Sequence, residues 1–256
     1  MCPATLLVDP MNATEPEIRA AGEAAVAAGF EDASIWAFQL RSFDGIDVNV
    51  AAVEAVMAWA GVDDNAAASE VEDFASLVQS TGATKVLACT MEPAVADLDT
   101  ASRHLGALAE RLGPLGAQVC MEFLPWSGVP DLATAWRLIE ALPATAGITL
   151  DMWHWQRQPG GPNPTLLASI PGERIGYVQL CDVPADAEGD PLAMAMANRL
   201  LPGDGIVDIP EVLGILRDTG AAPFYATEIF NPSYVRDNGP LKAAIAMREA
   251  ALRVLS

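Results

Sequence analysis

Four segments between Ala117 and Phe230 decide the fold: "AQVCMEF" (Ala117–Phe123), "AGITLDMWHW" (Ala146–Trp155), "RIGYVQLCD" (Arg174–Asp182) and "APFYATEIF" (Ala222–Phe230). Each is a short apolar run with the composition of a buried β-strand. Each ends in one oxygen-bearing side chain, in order Glu122, Asp151, Gln179 and Glu228, at intervals of 29, 28 and 49 residues. A carboxylate inside such a run is costly to bury unless it is paired or coordinated. Three carboxylates and one amide oxygen on four successive strands predict a shared destination.

Outward from that stretch, strand-like and helix-like segments alternate along the chain, which predicts a βα architecture. "TLLVDP" (Thr5–Pro10) reads as a first strand, followed by a helix with Thr14 at its N-cap, Pro16 in its first turn and Gly29 at its end. "DASIWAFQL" reads as a second strand. The segment Arg41–Gly61 is ambiguous: the apolar run "VNVAAVEAVMAW" fits a strand preceded by a short helix, or a helix outright. From Ala66 the alternation is regular, with Asp131 and Asp208 as helix caps and one long irregular stretch, Val183–Asp208. Eight βα pairs in 256 residues predict a single (β/α)8 barrel spanning residues 1–256. A doubly wound open sheet is the rival, but the turn after the first strand, "VDPMNATEPE", lacks the glycine-rich phosphate loop of that fold. In a barrel, side chains at the C-terminal strand ends face the active site.

Composition narrows the function. The net charge is −20, with Lys85 and Lys242 as the sole lysines, so the surface repels nucleic-acid backbones and anionic membranes. No apolar run approaches the ~20 residues of a membrane span, and "MCPATLLVDP" lacks the basic and apolar regions of a signal peptide. A cytoplasmic protein is the expectation. Cys89, Cys120 and Cys181 lie in expected strands, Cys2 lies near the N-terminus and no CxxC occurs, which predicts buried reduced thiols and no zinc–thiolate site.

Three carboxylates and an amide oxygen form an all-oxygen ligand set suited to Mn²⁺ or Mg²⁺, with Co²⁺ also accommodated. A divalent cation would also relieve their mutual repulsion at a barrel mouth; the alternative is that some of them pair with arginines or cap helices. His154, three residues after Asp151, stands where an imidazole can act as general acid or base. His104, mid-helix in "SRHLGAL", reads as surface or packing. Arg157 and Arg41 follow expected strands and could hold a substrate carboxylate or hydroxyl, or lie free on the surface. Trp126, Trp153 and Trp155 could wall a ring-shaped substrate or simply be buried.

The order E…DxxH…QxxD…PGxGxVD…E, carried by "CMEF", "LDMWH", "VQLCD", "LPGDGIVDIPEVL" and "TEIF", resembles the xylose isomerase-like TIM-barrel superfamily. That superfamily includes sugar isomerases, ketose 3-epimerases, endonuclease IV and 3-dehydroshikimate dehydratases. The resemblance covers Cys120 to Phe230; before that it rests on the βα rhythm alone. It implies Glu122, Asp151, Gln179 and Glu228 as metal ligands, His154 as the active-site histidine, and Arg199, just before "LPGDG", as a substrate-binding residue. The implied reaction is proton removal beside the carbonyl of a polyol or ketone through an enediolate or enolate, with Glu122 and Glu228 moving the proton in an isomerase or epimerase. A dehydratase, with His154 as base, is the alternative: the position of Gln179 is usually histidine in the epimerases and glutamine in the dehydroshikimate dehydratases. Endonuclease IV needs more histidines than the two present. A barrel serving only as a binding module is a third reading, and the intact ligand set argues against it. Barrels of this type often pair into homo-oligomers.

Overall fold

The computed structural model describes residues 1–61, 63–95, 97–186 and 189–256. Its centre is a sheet of seven parallel strands in sequential order: β1 (Asp32–Trp36), β2 (Asn49–Val56), β3 (Lys85–Ala88), β4 (Gln118–Glu122), β5 (Ala146–Asp151), β6 (Ile175–Leu180) and β7 (Phe224–Thr227). Helices between them pack on the outside, so the strands curl into a nearly closed barrel of the (β/α)8 type. The expected helix ends are in place. Thr14 donates its backbone N–H to Glu17 Oε2 at 2.8 Å, and the Asp131 and Asp208 carboxylates accept from the N–H of Thr134 at 2.7 Å and Glu211 at 3.0 Å.

The first expected strand does not form. Residues Pro3–Leu6 of "TLLVDP" and its approach make a buried 3₁₀ turn instead. Pro3 has no N–H to give a ladder, and the Thr5 hydroxyl donates to the Cys2 carbonyl at 2.8 Å, a local bond that competes with strand pairing. What remains of the eighth strand is a stub: Cys2 N–H donates to Thr227 O at 3.0 Å and Ser34 N–H to Met1 O at 2.8 Å, joining β7 to β1. The second strand stops at Trp36, and Ala37–Phe43 continues as a 3₁₀ helix. The ambiguous segment resolves as strand β2, preceded by that short helix. The "GITLDMWHW" strand ends at Asp151, and Met152–Arg157 turns into a helix.

The main core lies between sheet and helices, and a smaller cluster of Ala52, Leu87, Cys89, Cys120, Leu124, Tyr177 and Ala226 fills the barrel interior. Side chains alternate along a strand with period two. The positions two residues beyond Ala52, Cys120, Tyr177 and Ala226 are Glu54, Glu122, Gln179 and Glu228. Burying the apolar layer therefore places these polar groups above it, on the inside and at the C-terminal end. No described helix is long and apolar enough to cross a membrane.

Candidate metal centre

Glu122 ends β4, Asp151 ends β5, Gln179 sits one residue from the end of β6, and Glu228 follows β7 directly; all four side chains are buried. Asp151 also caps the helix Met152–Arg157, its Oδ1 accepting from the His154 N–H at 3.0 Å. That cap swings His154 back over the strand ends. Its Nε2 lies 3.6 Å from Glu122 Oε1 and 3.9 Å from Asp151 Oδ1, and Trp126 packs edge-on against its ring with centroids 5.1 Å apart. Ligand atoms of Glu122, Asp151 and His154 all lie within 4.8 Å of one another.

Arg199 completes the cluster. Its Nη1 donates to Asp151 Oδ2 at 2.6 Å, to Glu228 Oε2 at 3.1 Å and to the Glu228 carbonyl at 3.0 Å, while its Nε donates to Ala195 O at 2.9 Å. The irregular stretch carries it there through the motif residues. Asp182 of "QLCD" accepts from the N–H groups of Gly203 and Val207, both at 3.0 Å, and of Val183 at 2.8 Å. It pairs through its backbone with Leu200, the neighbour of Arg199. A Cβ on Gly205 would collide with the Asp182 carboxylate, so the "PGDG" turn closes this tightly only with glycine at that position. Residues 187 and 188 of this stretch lie outside the described residues.

Burial, then the neighbouring charges of Glu228, Asp151 and Glu54, push the Glu122 carboxyl well above its ordinary range. Burial does the same to Glu228, against the opposing pull of Arg199. Burial would raise Asp151 too, but Arg199 and His154 beside it hold its carboxyl below the usual value. Burial lowers the His154 imidazole to about 4, so it is neutral at pH 7 and able to accept a proton.

The donor set fits a divalent cation. Gln179 Oε1 and His154 Nδ1 are buried without a hydrogen-bond partner among the described residues, an arrangement that a purely structural role leaves unexplained. Carboxylate and amide oxygens with an imidazole nearby suit a hard or borderline metal.

The other candidates fall elsewhere. Arg157 donates to the Pro184 carbonyl at 2.6 Å and lies over the Trp153 ring, with no cluster carboxylate among its described partners. Arg41 is exposed and lines a surface cavity with Asn49, Ser80 and Thr81, beside the start of β2 and so at the opposite end of the barrel. His104 is buried packing, bonded to Trp59 O at 3.1 Å and Asp64 Oδ1 at 2.8 Å. Trp153 and Trp155 are fully buried, while Trp126 is partly exposed beside His154. All four cysteines are free and buried.

One residue of the cluster escapes the sequence pattern. Glu54 on β2 is buried, and its Oε1 accepts from the hydroxyl of Ser34, from Tyr177 at 2.8 Å and from Gln179 Nε2 at 3.4 Å. The signal was present: a carboxylate two residues after the interior Ala52, as at the other strand ends. It was masked by the double periodicity of "VNVAAVEAVMAW".

The chain belongs to the xylose isomerase-like TIM-barrel family, whose model matches residues 7–251. It is 30% identical over 162 residues, 62% of its length, to a 3-dehydroshikimate dehydratase of Pseudomonas putida, of which it spans 25%. It is 27% identical over 134 residues, 51% of its length, to an inosose isomerase of Halalkalibacterium halodurans, of which that match spans 45%. Among solved structures, the IolI protein with a bound zinc atom superposes with a TM-score of 0.80 over 99% of this chain and 96% of that one, at 16% identity. The chain thus spans about a quarter of the dehydratase, and its match to the isomerase under half of that protein, while the IolI likeness is one of fold.

Proposed function

We propose that this protein is a divalent-metal-dependent isomerase or epimerase of a polyhydroxylated ketone, removing a proton beside the carbonyl. The observation that carries this is the convergence of three buried carboxylates, an unpartnered amide oxygen and a neutral histidine on successive strand ends. Glu122, Asp151, Gln179 and Glu228 would hold the metal, Mn²⁺ or Mg²⁺ being the best match to oxygen donors. Bound there, such an ion supplies Lewis acidity that makes the proton next to a substrate carbonyl removable near neutral pH.

The remaining chemistry belongs to the side chains. Glu122 and Glu228 have raised proton affinity, so either can take a proton and return it. His154 Nε2 stands 3.6 Å from Glu122 and can relay or accept that proton. Arg199 tethers Asp151 and Glu228, fixing two walls of the site. Arg199 Nη1 is shared between two carboxylates, and Arg157 bonds a backbone carbonyl while its Nε has no partner among the described residues. The second reading, a dehydratase of the 3-dehydroshikimate type, is favoured by Gln179 and by the Pseudomonas putida relative.

NMR in D₂O separates the two. The Mn²⁺-loaded protein is incubated with ketoses, inososes and 3-dehydroshikimate, and the metal is stripped before spectra are taken. Deuterium entering the α-carbon of a ketose or inosose, with a new isomer growing in, is the expected result. Aromatic proton signals from dehydroshikimate would replace this reading with the dehydratase.

His154→Ala is expected to lower turnover by about 10²–10⁴-fold while changing Mn²⁺ affinity little. Loss of Mn²⁺ binding in titration calorimetry would instead make His154 a ligand. Metal binding is also expected to release protons, because burial raises the proton affinity of Glu122 and Glu228 in the metal-free protein. A carboxyl raised on folding stabilises the fold below its ordinary pKa, and that contribution is lost as pH rises through the folded value. The metal-free protein should therefore melt lower as pH rises above the ordinary carboxyl range, and Mn²⁺ should restore more at the higher pH. Equal binding enthalpies in buffers of different ionisation heat would show that no proton leaves.

A further inference from the structure

We infer that Glu54 is a positioning residue that decides which atom of the Gln179 amide faces the carboxylate cluster. The inference rests on the reading of Gln179 as a ligand and adds what makes it one. A glutamine end can present either an oxygen or an NH₂ group, and the two are nearly the same shape. Here the choice is set from across the barrel. Glu54 Oε1, on β2, already accepts the hydroxyls of Ser34 on β1 and Tyr177 on β6. The Gln179 Nε2 reaches the same oxygen at 3.4 Å. Turned the other way, the amide would press its own oxygen against the Glu54 carboxylate oxygen and take away the donor that this oxygen now accepts. With Nε2 held by Glu54, the amide oxygen is the atom left over, and it is the one without a partner among the described residues. Tyr177 and Gln179 lie on the same face of β6, two residues apart, so one strand supplies both the anchor that orients the Glu54 carboxylate and the group that the carboxylate orients.

Glu54 is distinct from the ligands by these contacts, although its carboxylate, Glu228 and Cys2 Sγ lie within 4.8 Å of one another. That proximity supplies the competing explanation, direct coordination by Glu54, and the test is built to exclude it.

The probe is Mn²⁺ alone, its dissociation constant read from the free-ion EPR signal, in a cycle of E54L, Q179A and the double variant. Loss of an outer partner of a ligand typically costs about 10–100-fold in metal affinity, and E54L is expected to fall in that range. On the Q179A background the same change should cost under about threefold, because there is no amide left to orient. E54Q keeps an acceptor oxygen in place and should bind Mn²⁺ within about threefold of the parent protein. Equal losses from E54L on both backgrounds would overturn the proposal in favour of coordination or a general structural role. No loss from E54L, with Q179A weakened, would overturn it alone. No loss from Q179A would remove the ligand reading beneath it. Circular dichroism checks folding. Should E54L not fold, Y177F replaces it: it removes one anchor of the carboxylate, and a loss confined to the background that retains Gln179 is the expected result, with equal losses on both overturning the idea.

Discussion

Glu228→Gln is expected to lower Mn²⁺ affinity by more than about 100-fold, the upper end of what loss of an outer-shell partner costs, and to take metal-dependent turnover with it. The substitution keeps shape and removes charge. In the metal-free protein that charge is not a source of stability: burial already pushes the Glu228 carboxyl up, and Arg199 retains its shorter bond, 2.6 Å, to Asp151. The fold should therefore tolerate the change, with a melting temperature within the about 2–4 °C that 1 kcal/mol is worth in a domain of this size. The contrast between lost metal binding and a preserved melting curve is the informative result. Retained turnover would refute the role proposed for Glu228, whereas a collapsed melting curve would mean that the residue holds the barrel together.

Arg199→Met is expected to give the opposite pattern. It withdraws the cation from between Asp151 and Glu228, both buried. Removing one partner of a buried ion pair costs about 3–5 kcal/mol, since it leaves uncompensated charge in a poorly solvated place. At about 2–4 °C per kcal/mol, the metal-free protein should melt roughly 6–20 °C lower. The sign with pH follows from Asp151. Its carboxyl is held below the ordinary range, so the pair stabilises the fold above that range and the contribution fades as pH falls through the lowered value. The melting curves of parent and variant should converge in acid and diverge towards neutrality. Mn²⁺ should recover much of the deficit, since a divalent ion can neutralise the same carboxylates. A deficit unchanged by pH would assign the loss to packing of the arginine stem instead.

The four ligand candidates were legible as the polar ends of apolar strand runs, and for Glu122, Gln179 and Glu228 β periodicity explains why. Once Val, Ile, Leu and Cys mark a strand, a polar group two residues past an interior position must join the interior. His154 was legible by its nearness to Asp151, but its placement was not, since the strand-to-helix switch at Met152 depends on Asp151 acting as a cap. Arg199 was found by motif, while its pairing with Asp151, 48 residues away, is a tertiary fact that no local pattern carries. Glu54 was hidden because its strand is rich in alanine and valine, which satisfy both helical and strand periods. The missing first strand was hidden for a related reason: "TLLV" is apolar throughout, and a continuous run has no phase from which to tell a strand from a turn. The buried turn won there because Pro3 and Thr5 supply local alternatives to a ladder.

That missing strand leaves the barrel with a seam. Across it, β7 and β1 are linked through the backbone of Met1 and Cys2, where the other neighbours share full ladders. In the language of amide exchange, the seam is where the barrel should open first, because few bonds need to break for the two edges to part. Glu228 begins immediately after one edge, and Ser34, an anchor of Glu54, sits on the other. An ion gripped by Glu228 and, through Gln179 and Glu54, tied to β1 would act as a staple across this join. With such an ion bound, the least protected part of the ring and the ion would form one linked equilibrium, in which loading the site slows exchange along both edges and opening the edges releases the ion.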